Sequence, residues 1–174
     1  MIESNMECLT IRIFGISNDS IVDGPGIRYV IFTQGCFHNC PGCHNPESHS
    51  MQGGYDKSIA DILQEIDDNP LLDGITLSGG EPMEQVEALL PLLPEIKKRG
   101  LSIVIYSGYT YEQIIADQDK RNLLSYCDIL IDGKYLEAQR SLALLFRGSK
   151  NQRMIDIQSS MQNHKVILYD QISV

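Results

Sequence analysis

"IRYVIFTQGCFHNCPGCHNPES", residues 27–48, runs an apolar, β-branched segment straight into a cluster of three cysteines. Its first six residues read as a strand, because branched and aromatic side chains pack well on a pleated surface. Gly35, Pro41 and Gly42 then shape a tight loop around Cys36, Cys40 and Cys43, three of the chain's five cysteines. The same order, strand and then motif, recurs downstream. "SGGEP" (78–82) closes "GITLS" (74–78), "YSGYT" closes "LSIVIY" (101–106), and "DGK" closes "DILI" (128–131).

Helical patterns separate these runs. In "SIADILQEIDD", Ile59, Ile62, Leu63 and Ile66 fall on one helical face and Ser58 is placed to cap it. "MEQVEALLPLLPEIKKRG" ends in Lys97, Lys98, Arg99 and Gly100, with Pro91 and Pro94 expected to kink or divide it. "YTYEQIIADQ" and "DKRNLLSY" supply shorter helices. "LTIRIF" (9–14), "RMIDI" (153–157) and "KVILY" (165–169) read as further strands. Strands alternating with helices between about residues 27 and 131 predict βαβ units, a parallel sheet and an α/β fold. In such sheets ligands bind at the carboxyl ends of strands, where all four motifs sit. No repeat, linker or low-complexity stretch divides the chain, so residues 1–174 are expected to form one domain.

A formal net charge of −9 repels phosphate backbones, which argues against a nucleic-acid partner. The first fifteen residues, "MIESNMECLTIRIFG", lack the basic start and apolar core of a secretory signal. No apolar run approaches the roughly 18 residues of a membrane span. The expected location is the cytoplasm, where clustered cysteines indicate metal or redox chemistry rather than disulfides.

Thiolates in a C-x3-C-x2-C spacing suit zinc or an iron–sulfur cluster. A structural zinc needs a fourth ligand, for which His38 and His44 are candidates. A [4Fe–4S] cube held by three cysteines instead leaves one iron open to a small chelate.

The cysteine spacing resembles the signature of the radical S-adenosylmethionine superfamily, and "SGGEP" resembles its glycine-rich second motif. "SIVDGPGIRYVIFTQGCFHNCPGCHNPES" is similar to the N-terminal region of glycyl-radical-enzyme activases. "PGCHN", "SGYTYE", "DILIDGKY" and "RGSKNQR" resemble segments of the activases that serve anaerobic ribonucleotide reductase. The likeness extends over roughly residues 14 to 157. Position 44 departs from it, carrying histidine where tyrosine is usual.

The resemblance implies an open partial (β/α) barrel of the radical S-adenosylmethionine type. It implies a [4Fe–4S] cluster on Cys36, Cys40 and Cys43, with S-adenosylmethionine chelating the fourth iron. Gly42, Cys43, His44 and Asn45 would line adenine, and Gly79, Gly80 and Glu81 the methionine end. Gly79 and Gly80 let the backbone approach the ligand closely; a bulky residue at 80 is expected to weaken S-adenosylmethionine binding and spare the cluster. Ser107, Asp132 and Lys134 are implied contacts to ribose, a cation or the methionine carboxylate. The partners implied are a flavodoxin-like one-electron donor and the glycyl-radical protein anaerobic ribonucleoside-triphosphate reductase. A pyruvate formate-lyase partner, a small-molecule enzyme such as a deazaguanine synthase, and a zinc interaction module are the alternatives.

Plainer readings stand beside these. "GGEP" also fits a strand-to-helix turn with Glu81 in the first helical turn, "DGK" a surface turn, and Ser107 a turn-stabilising hydroxyl. Arg28 is expected either to hold a ligand carboxylate or to sit on an edge strand beside the Gly24–Gly26 turn. Asn151 and Gln152 are expected to satisfy loop backbone, and Arg147 and Arg153 receive no chemical role. Cys8 and Cys127 read as small core hydrophobes, and His49 and His164 as surface residues.

Overall fold

The computed structural model describes residues 8–170. Strands β1 (Thr10–Ser20), β2 (Arg28–Thr33), β3 (Tyr55–Ser58), β4 (Gly74–Gly79), β5 (Ser102–Ser107), β6 (Ile129–Asp132) and β7 (Arg153–Asp156) form one unclosed sheet in the order β3-β1-β2-β4-β5-β6-β7. The four motif-bearing strands, β2, β4, β5 and β6, are parallel neighbours at its centre. β1, β3 and β7 flank them in antiparallel pairings.

Helices α1 (Ile59–Asp67), α2 (Val86–Leu89), α3 (Leu92–Lys98), α4 (Tyr111–Ala116), α5 (Gln118–Leu124) and α6 (Ile157–Asn163) complete the fold. Ser58 caps α1 by accepting from Asp61 N, and the helix buries Ile59, Ile62, Leu63 and Ile66. The proline-rich segment is divided as expected: α2 ends ahead of Pro91, and Pro94 falls in the first turn of α3, where a missing N–H costs little. Among the described residues no helix is long and apolar enough to cross a membrane.

Strand side chains alternate between the two faces of the sheet. Tyr29, Ile31, Ile75, Leu77, Ile103, Ile105, Leu130 and Ile155 point one way, and all six helices pack on them to form the main core. Val104, Ile129, Ile131 and Met154 point the other way into a smaller cluster with Tyr106, Phe146 and Tyr169. Among the described residues no helix covers that second face. Two loops do: Asp23 O accepts from Thr76 Oγ1 (2.8 Å), and Phe146 O accepts from Tyr106 Oη (2.8 Å).

Several expectations need correction. "YDKS" forms strand β3 although it lacks apolar alternation. "KVILY" makes only an isolated bridge, Ile155 to Leu168. Cys8 is exposed rather than in the core, whereas Cys127 is fully buried. Arg28 is neither a ligand contact nor an edge residue. It is 1% exposed on central strand β2. It donates to Thr76 Oγ1 (3.2 Å), Ser102 Oγ (2.6 Å), Ser102 O (3.0 Å), Pro25 O (3.3 Å) and Ile75 O, stitching together the amino ends of the parallel strands. Burial lowers its pKa to about 10.

Candidate functional site

Carboxyl ends of parallel strands leave short turns on one rim, and here those turns surround a cavity of about 690 Å³. Cys36, Cys40, Cys43, His44, Asn45, Gly79, Gly80 and Ser107 all line it, so eight of the twelve expected site residues converge. Phe32, Ser78 and Tyr106 from the helix-free face extend the wall. Residues 21–23 and the 140–148 loop bring Ile21, Val22, Leu142 and Leu145, all exposed apolar side chains, to its mouth. Composition did not single these out, because isolated surface leucines are ordinary.

The three thiols are free and half-buried. Burial pushes Cys36 and Cys40 up, and main-chain groups oppose it: His38 and Asn39 at Cys36, Tyr135 at Cys40, where the Lys134 charge helps. Such donors suit sulfurs that bind metal as thiolates. Among the described residues no three His, Cys, Asp or Glu side chains gather tightly enough for a single metal ion. His38 is also turned from a ligand role, its Nε2 lying 2.7 Å from Glu81 Oε2.

The glycines of "SGGEP" pack against protein as well as cavity. A Cβ on Gly79, whose φ is +91°, would lie 2.6 Å from Phe32 Cα; one on Gly80 would lie 2.5 Å from Gly35 O. Gly80 N donates to Thr33 O (2.7 Å) and Glu81 N to Gly35 O (2.8 Å), locking this turn to the strand that carries the cysteines.

Four expected residues do not line the cavity. Glu81 is completely buried and caps a short 3-10 turn, accepting from Met83 N, Ser107 Oγ, Gly108 N and His38. Gly42 lies under the Glu137 carboxylate. Lys134 is exposed, as a turn residue should be, and its carbonyl accepts from Asn151 Nδ2 (2.8 Å). Asp132 is 1% exposed and so not a surface turn. Strand alternation points it at the helical face, where it accepts from Tyr111 N (2.8 Å) and pairs with Arg153. Ser107 joins both readings, lining the cavity while its hydroxyl accepts from Tyr109 N (3.1 Å) in the turn.

The 147–153 segment acquires roles here. Gln152 Oε1 accepts from Gly148 N and Ser149 N, and its Nε2 donates to Gly133 O, so it builds the loop as expected. Arg147 lines the cavity, and its buried Nε has no hydrogen-bond partner. His49 also reaches the cavity, although it reads as a surface residue in sequence; His164 is exposed, ending α6 with a left-handed backbone.

Arg153 further grips Glu112 with both terminal nitrogens (3.1 and 2.8 Å), holding that carboxyl down at about 2 against an ordinary 4.5. The folded state therefore binds this proton more weakly than the unfolded chain, so the pair's contribution is present above pH 4.5 and disappears as pH falls toward 2. Glu112→Gln should flatten that part of the acid-stability curve, read as denaturant midpoint against pH. Parallel curves for the two proteins would show that this exposed pair contributes nothing.

A family model described as a 4Fe-4S single cluster domain matches residues 22–155. An anaerobic ribonucleoside-triphosphate reductase-activating protein of Haemophilus influenzae is 36% identical over 142 residues, covering 76% of this chain and 89% of that protein. The Escherichia coli K12 protein of the same name is 34% identical over 140 residues, covering 76% and 90%. One from Enterobacteria phage T4 is 34% identical over 139 residues, covering 76% and 86%. With the cysteine loop and the three following turns inside the matched span, the chain belongs to the family of anaerobic ribonucleoside-triphosphate reductase-activating proteins and carries its 4Fe-4S single cluster domain.

Proposed function

We propose that this chain is a cytoplasmic radical S-adenosylmethionine activase that removes a Cα hydrogen atom from a glycine of anaerobic ribonucleotide reductase, leaving a glycyl radical. The observation that carries the reading is the convergence of Cys36, Cys40 and Cys43 with the Gly79–Gly80 and Ser107–Gly108 turns on one cavity at the rim of four parallel strands. The sheet is unclosed and has helices on one face only, which accords with an open partial barrel.

The three cysteines would each hold one iron of a [4Fe–4S] cluster, leaving the fourth for the amino and carboxylate groups of S-adenosylmethionine. When bound, that centre supplies one electron, received from a flavodoxin-like donor, which splits the S–C5′ bond into methionine and a 5′-deoxyadenosyl radical. The chain's own work is placement and exclusion. His44 and Asn45 flank the adenine, and the Gly79–Gly80 backbone takes the methionine end. Arg147, with its unpartnered buried Nε, is available to the methionine carboxylate. Asp132 and Lys134 act from behind, the first by seating α4 through Tyr111 N and the second through its charge beside Cys40. The apolar mouth formed by Ile21, Val22, Leu142 and Leu145 keeps water from the radical and gives a glycine-bearing loop a surface to enter by.

Incubating the reconstituted, reduced protein and S-adenosylmethionine with the reductase should give a doublet in electron spin resonance, split by the one remaining α-hydrogen. Deuterium in the target glycine should collapse the splitting and reappear in 5′-deoxyadenosine. A doublet only on pyruvate formate-lyase would change the partner. No doublet on either protein, with S-adenosylmethionine still cleaved, would shift the reading to a small-molecule substrate.

A further inference from the structure

His38 stands in the middle of the Cys36–Cys40 loop, yet its side chain turns away from the thiols and into the rim. Its Nε2 lies 2.7 Å from Glu81 Oε2, with side-chain exposures of 9% and 1%. A carboxylate only accepts, so Nε2 carries the hydrogen. Glu81 takes three more donors: Met83 N (3.0 Å) and Ser107 Oγ (2.9 Å) on Oε1, and Gly108 N (2.7 Å) on Oε2. One carboxylate thus ties together the loop after β2 and the turns after β4 and β5. The imidazole is hemmed in on two further sides. Tyr109 meets it edge-on at 4.5 Å, and a Cβ on Gly108 would come within 2.3 Å of its Cδ2.

The backbone beside this side chain serves the sulfur. The main-chain N–H groups of His38 and Asn39 reach the Cys36 sulfur. The turn that aims them is strained, because Asn39 has φ +49°, a left-handed conformation that asparagine tolerates better than most residues but does not prefer. The side-chain anchor of His38 on Glu81 opposes the relaxation of that turn.

We infer that His38 is a positioning residue and not a metal ligand: through Glu81 it clamps the cysteine loop to the ends of β4 and β5 and fixes the main-chain donors around the Cys36 sulfur. The inference rests on the proposed role of Cys36 in holding a cluster. Hydrogen bonds to cluster sulfurs favour the reduced, more negative form, so loosening them moves the midpoint potential downward.

The test uses His38→Ala, His38→Gln and Gly108→Ala in the full chain. After anaerobic reconstitution His38→Ala should keep wild-type iron content and show a more negative midpoint potential. Without any cofactor, amide exchange over residues 35–45 should quicken by roughly tenfold, the scale of one lost hydrogen bond to a charged group. His38→Gln, whose carboxamide N–H can still reach Glu81, should restore both readings. Gly108→Ala should reproduce the His38→Ala changes by displacing the ring from outside the loop. Unchanged exchange and potential in His38→Ala would overturn the clamp. Iron loss in His38→Ala, recovered in His38→Cys, would make position 38 a ligand and overturn it equally. If the wild-type chain takes up no cluster, the proposed function fails, while the exchange comparison still decides whether His38 holds the loop.

Discussion

Alanine at any one of Cys36, Cys40 or Cys43 should leave the anaerobically reconstituted protein nearly colourless and without a stable cluster. Each thiol lines the same cavity wall from its own place on the loop, so none can substitute for another. A cube held by two thiolates would be labile, and iron and sulfide content should drop from about four of each per chain to a small residue. Cys8→Ala and Cys127→Ala are the controls. Cys8 is exposed and outside the cavity, while Cys127 is sealed in the core, where burial pushes its thiol up and its Sγ donates to Leu123 O at 3.7 Å. Both should retain full iron. A triplet variant with wild-type iron content would refute the ligand assignment.

Gly80→Val should abolish S-adenosylmethionine binding, with an expected loss of roughly a hundredfold or more in affinity, and should also lower iron content. The sequence alone suggests that the cluster is spared. The geometry revises this, because the new Cβ would meet Gly35 O at 2.5 Å, and Gly35 directly precedes Cys36. A backbone clash of that kind cannot be relieved by a rotamer change, so the cysteine loop must move. Gly15→Ala, with nothing within 4 Å of the added carbon, should be silent in both measurements. Equilibrium binding together with iron analysis decides the matter: normal affinity at position 80 would remove this turn from the site.

The central sheet was legible because each parallel strand is a dense apolar run ending in a distinctive turn. β3 was not, since Tyr55, Asp56, Lys57 and Ser58 gain their strand conformation from pairing with β1 and not from their own preferences. "KVILY" failed the other way: its composition is that of a strand, but it finds only one bridge partner on β7. In the site, motif residues that face the cavity were readable one by one. What spacing could not convey is direction. Asp132 and Glu81 sit in the right motifs, yet one points to the helical face and the other is consumed by four internal donors. Arg28 shows the same limit, since a charged residue next to a Gly-Pro-Gly turn reads as a ligand contact or an edge-strand residue until the strand order places it, buried, on a central strand.

None of the triplet cysteines belongs to the apolar core, which is assembled chiefly from strand and helix residues. The fold therefore owes its stability to the sheet and its helices, unlike a zinc finger that unfolds when stripped. Oxygen, which destroys exposed iron–sulfur centres, would leave behind a folded chain with three half-exposed thiols on a shared loop. Damage of this kind is repairable as long as those sulfurs go no further than a disulfide or sulfenic acid, because a reductant, iron and sulfide suffice and no resynthesis is needed. If these cysteines hold the cluster as proposed, the step that a reductant cannot reverse is oxidation of the emptied loop to sulfinic acid or beyond.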